Sequence, residues 1–113
     1  MRELIEVEFK TFVAEGLPPP HVVYEGEYHE RFIWVSEDAK RLFTLIPEVC
    51  EVPVSDRLPG VEGYEEAVRY NVWGNYTGTE RDSVFLADRA SLDEVKLISE
   101  QFQNGSHFND MVV

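Results

Sequence analysis

The chain has 113 residues, 43% of them hydrophobic, and 22 acids against 10 bases give it a formal net charge of −12. That length suits one compact domain over residues 1–113 with a single core, and the apolar fraction excludes a disordered chain. A surface this negative repels nucleic acid and anionic lipid and attracts basic protein surfaces, so direct nucleic-acid and membrane partners are not expected.

Residues 2–15 fit two periods. Ile5, Val7, Phe9, Thr11 and Val13 alternate as in a strand, whereas Leu4, Ile5, Phe9, Phe12 and Val13 line one helical face. Gly16 stands where a helix-ending glycine belongs, Leu17 can supply the contact after it, and Pro18-Pro19-Pro20 follow, which favours a helix. His21–Glu25 and Arg31–Val35 are rich in β-branched and aromatic residues, predicting a hairpin around a GEYHE loop. Ser36 has the chemistry of an N-cap, with Glu37 and Asp38 in the first turn. A helix is therefore expected to about Ile46, burying Leu42, Phe43, Leu45 and Ile46, and Pro47 must end or kink it. Residues 47–63 hold Pro47, Pro53, Pro59, Gly60 and Gly63 and read as the longest irregular stretch.

Tyr64–Trp73 alternates as a long strand, GNYTGTERD is a polar turn region, and Ser83–Ala87 is the return strand. Ser91 and Glu94 form a capping box before a helix that buries Leu92, Val95, Ile98 and Phe102 and stops near Asn104-Gly105. The tail is expected to add a short edge strand or to dock apolar residues. The order α-ββ-α-ββ-α predicts an α+β fold, an antiparallel sheet of about four strands with two or three helices packed on it.

No chemistry-bearing motif stands out. The three histidines, His21, His29 and His107, lack metal-ligand spacing, and no metal or cofactor is expected. Cys50 is the only cysteine, so no internal disulfide is possible, and Glu48 and Glu51 beside it disfavour a thiolate. No P-loop, G-x-S-x-G or dinucleotide fingerprint occurs. The amino-terminal residues lack the apolar run of a signal peptide, which leads to the expectation of a cytoplasmic, non-enzymatic protein.

The acids come in groups, and strand or helix spacing can place neighbouring carboxylates on one face. Glu25, Glu27 and Glu30 form one candidate group, and Glu62, Glu65 and Glu66 another. Trp34 is expected in the core, whereas Tyr28, Trp73 and Tyr76 sit near turns and are candidate interface anchors. In size, charge and lack of catalytic motifs the chain resembles, as a class, the small acidic DNA-mimic proteins of bacteria and phages. That resemblance implies an inhibitor that occupies the basic groove of a nucleoid protein, a restriction or CRISPR effector, or a repressor. It transfers no individual residue. The alternatives are an immunity-type protein that neutralises a basic toxin, and an accessory assembly subunit. In each case a monomer or small homo-oligomer is expected.

Overall fold

The computed structural model describes residues 10, 12, 14–25, 30–77 and 83–111. Five strands run in chain order: β1 (Val22–Glu25), β2 (Glu30–Val35), β3 (Arg41–Pro53), β4 (Tyr64–Tyr76) and β5 (Val84–Ala90). They pair antiparallel in the order β1-β2-β3-β4-β5, so each strand lies beside its sequence neighbours. Helix α1 (Leu92–Gln103) then crosses one face of the sheet, and a single 3₁₀ turn, Phe108–Asp110, comes after it. The fold is α+β in the coarse sense. It has five strands where about four were expected, and α1 is the only complete α-helix among the described residues.

The expected helix from Ser36 to Ile46 does not form. Ser36 instead opens a hairpin turn: its amide donates to the Arg41 carbonyl (3.0 Å), and its hydroxyl accepts the Arg41 amide (3.0 Å). The Asp38 carboxylate accepts from the Ser36 hydroxyl (2.7 Å) and the Lys40 amide (3.0 Å), while Ala39 takes a positive φ of 58°. Serine and aspartate cap turns with the same local hydrogen bonds that cap helices. The residues after the turn decide between the two. As a strand, Arg41–Ile46 sends Phe43 and Leu45 into the core and Leu42, Thr44 and Ile46 to the other face. A central strand uses both sides in this way, whereas a helix would bury one stripe.

Pro47 does not end an element either. It lies inside β3 opposite Tyr70, beyond Leu45, the last β3 residue paired to β2. There the pairing of β3 to β2 has stopped, which is where a strand tolerates a missing N–H. The stretch expected to be irregular is therefore strand to Pro53, a 3₁₀ turn (Val54–Asp56) and a loop in which Gly60 and Gly63 take positive φ.

Other expectations hold. Ser91 caps α1 by accepting the Glu94 amide (3.3 Å). At its far end Gly105 has φ +83°, with Gly105 N–H bonded to Phe102 O and Ser106 N–H to Gln101 O, a Schellman motif. The same device stands at Gly16, where the Leu17 amide reaches the Phe12 carbonyl (2.9 Å). Lys10, Phe12 and Ala14 are helical; the rest of the expected first helix lies outside the described residues.

The core lies between α1 and the sheet. Phe12 packs edge-on against Phe32 (5.0 Å) and Trp34 (5.7 Å), and Phe43 stacks on Phe102 (5.5 Å). Trp34 is buried as expected, and its indole N–H donates to the Pro18 carbonyl (2.8 Å), tying down the proline connector. The tail docks an apolar residue, the second of its two expected behaviours. Phe108 lies so close on Gly74 that a Cβ there would meet its ring at 2.7 Å. Arg41 joins these parts: its guanidinium donates to the Ser106 and Phe102 carbonyls and lies over the Phe102 (5.1 Å) and Phe108 (5.4 Å) rings.

Candidate functional site

β3 and β4 pair over their whole length, from Arg41 opposite Tyr76 to Pro53 opposite Tyr64. Their inner halves are flanked by β2 and β5. The outer half, Val49–Pro53 with Tyr64–Val68, lies past the last pairing of either neighbour and projects as a two-stranded arm. The molecule measures 47 × 31 × 26 Å.

Directly opposed residues in an antiparallel pair share a face. On the helix side of the sheet, Phe43, Leu45 and Pro47 are buried, and the same face continues outward as Val49, Glu51 and Pro53. Across from these stand Val68, Glu66 and Tyr64. Val49 is 56% exposed and Tyr64 73%, and Leu58 and Val61 in the connecting loop are also exposed. Glu51 faces Glu66 in register, and among the described residues no cation pairs with either.

The opposite face of the arm is electrostatically closed. Arg57 grips Glu65 with two hydrogen bonds (3.0 and 2.8 Å), which hold the Glu65 carboxyl below its ordinary value. Glu48 pairs with Arg89 (3.6 Å) and accepts from the Asn71 amide (2.8 Å). Asn71 in turn accepts the Arg89 backbone N–H (3.1 Å), in a stretch of β5 where Arg89 has φ +50° and the register to β4 shifts. Buried Cys50 sits beside Glu48 (3.5 Å); burial pushes its thiol up, and the hydrogen bond and charge of Glu48 add to this. Such a thiol is a poor nucleophile.

The structure splits the sequence-predicted residues. Glu62 and Glu66 are exposed on the arm, with Glu65 near them in its ion pair. Glu25 is far along the sheet at the end of β1, opposite Glu30 in register. Glu30 is only 2% exposed, so its carboxylate is not a surface group. Glu27 and Tyr28 lie outside the described residues. Trp73 rests against Phe85 (4.7 Å) on the face away from α1, and Tyr76 packs edge-on against Phe108 (5.4 Å). Neither is on the arm. Sequence reasoning missed Glu51, Val49 and Tyr64 as site residues. The β-branched Val49 and Val52 were a weak strand signal, and Pro47 and Pro53 on either side of them read as breaks.

A groove of about 440 Å³ runs between the β2–β3 turn and the end of α1, lined by Ser36, Glu37, Asp38, Arg41, Phe102 and Gln103. Two of its ionic groups are committed to the fold: Arg41 caps α1, and hydrogen bonds from Ser36 and Lys40 hold the Asp38 carboxyl below its ordinary value. Among the described residues no three His, Cys, Asp or Glu side chains stand together as metal ligands, and no helix is long and apolar enough to cross a membrane. No family model, no curated protein and no solved structure matches the chain.

Proposed function

We propose that the protein is a non-enzymatic binding protein, an acidic mimic of nucleic acid that occupies the basic surface of a nucleic-acid-binding partner through its projecting arm. The observation that carries this reading is the Glu51–Glu66 pair. Like charges directly opposite each other on neighbouring strands destabilise a sheet. Folding gains nothing from the pair, and a lysine- or arginine-rich surface relieves it. Exposed Tyr64 and Val49 on the same face supply the apolar contact that charge alone does not. Isolated rim ion pairs contribute little, so Glu51, Glu62 and Glu66 act together.

The test is displacement of a labelled DNA duplex from a histone-like nucleoid protein, from a repressor and from a restriction endonuclease, followed by fluorescence anisotropy. Displacement from at least one is expected, with potency falling about tenfold or more between about 50 and 200 mM salt. Glu51→Lys should abolish most of this competition. The same change turns a like-charge pair into an opposite-charge one, so it should raise stability by roughly 0.2–1 kcal/mol in urea unfolding. Absence of displacement from all three, or displacement unaffected by Glu51→Lys, overturns the proposal. Binding without displacement overturns mimicry in favour of an immunity-type or accessory role.

A further inference from the structure

α1 covers one face of the sheet, and the other face is open. Val22, Tyr24, Ile33, Leu42, Ile46, Trp73 and Phe85 occupy it, around a shallow depression that Arg31, Thr44, Asn75 and Ser83 complete. Phe85 is 47% exposed and Tyr24 54%. We propose that this face docks a second copy of the same chain, sheet against sheet, in a reversible two-fold dimer.

Charge selects the occupant. At a net charge of −12, two copies repel each other through most of their surfaces. The open face is the exception. Among the described residues, its strand positions carry Glu48 and Glu65, each held by an arginine, and exposed Asp88 stands beside Asn71 at its β5 margin. Arg31 and Arg69 lie on the same face, by the register that places Arg31 opposite Tyr24 and Arg69 opposite Glu48. On this side two copies meet apolar surface among arginines, with Asp88 the acid that no arginine holds among the described strand residues. Two such faces pack about 10 Å apart, as in a sandwich.

Size sets the strength. Five strands spaced at about 4.8 Å, each contributing about five residues, give a footprint of about 24 by 17 Å. That is about 400 Å², half of the roughly 800 Å² per partner that a standard specific interface buries. The dimer is therefore concentration-dependent, with a dissociation constant in the micromolar to sub-millimolar range.

Salt sets the sign. Added salt screens the repulsion between the two acidic copies and leaves the apolar contact in place, so the dimer tightens. Docking of the arm on a basic partner responds in the opposite sense, so the failure of one proposal is distinguishable from the failure of the other.

Sedimentation equilibrium up to about 1 mM protein, at low salt and at about 0.5 M salt, tests this. The average mass should rise toward two copies with concentration and rise further with salt. Phe85→Glu and Tyr24→Glu, on opposite sides of the face, should each weaken association about tenfold or more; circular dichroism reports whether each folds. Glu51→Lys, on the arm, should not weaken it. A single-copy mass at every concentration and salt, association that loosens with salt, or association that survives both folded face variants overturns the proposal. The salt response of the unaltered chain decides the matter even where a variant fails to fold.

Discussion

The inner and outer halves of the β3–β4 ribbon share one ladder and one alternation of faces, yet they do opposite work. In the inner half, Phe43, Leu45 and Val72 face α1 and are fully buried. In the outer half the same face carries Val49, Glu51, Tyr64 and Glu66 in solvent. Nothing in the hydrogen-bonded ladder distinguishes the halves. The neighbours do: β2 and α1 cover one end and leave the other bare. Strand pairing gives a ribbon its direction, and burial decides which part of it stabilises the fold.

Truncating one side chain in each half should give the largest contrast. Phe43→Ala empties a site between Trp34 and Phe102 and should cost about 3–5 kcal/mol. Tyr64→Ala should change stability by no more than about 0.5 kcal/mol, because little of that ring leaves water on folding. Urea unfolding of the two variants measures the contrast, and equal losses would show that the arm is structural after all.

A smaller effect probes how the inner half is closed. Gly74→Ala places a methyl group 2.7 Å from the buried Phe108 ring, which has nowhere to move cheaply. About 1–3 kcal/mol should be lost, and the double variant Gly74→Ala with Phe108→Ala should lose less than the sum of the two single losses, because removing the ring makes room.

The smallest effect is a titration in the outer half. Because Arg57 depresses the Glu65 carboxyl, the contribution of that pair is fully present above the ordinary glutamate value and is lost as pH falls through the lowered one. The backbone amide shift of Arg57 should move as pH falls below the ordinary glutamate value, and Glu65→Gln should reduce that movement. Residues of the inner half should not share it.

Much of the fold was legible where two independent signals marked both ends of an element. Ser91 and Gly105 bracket α1, and a 3.6-residue period fills the space between. β3 was not legible, because Ser36 and Pro47 each carry a double meaning. Serine caps a turn as readily as a helix, and proline ends a helix but survives where a strand lacks a second neighbour. At the candidate site, Glu62, Glu65 and Glu66 were visible as acids. The opposition of Glu66 to Glu51 was not, since it depends on a register set many residues away. The burial of Glu30 did leave a sign: it alternates with Phe32 and Trp34, and so shares their face.

The two edges of the sheet carry a consequence for how the molecule behaves at high concentration. β1, at one edge, is only four residues long, and β5, at the other, is interrupted by shifts of register and by Arg89 in a left-handed conformation. Short and bulged margins offer a poor template for another chain to extend the ladder. Contact through a face stops at two copies, whereas contact through a margin would continue without limit into fibres. At the β1 and β5 borders, raggedness thus makes the uncovered apolar sheet a poor seed for polymers.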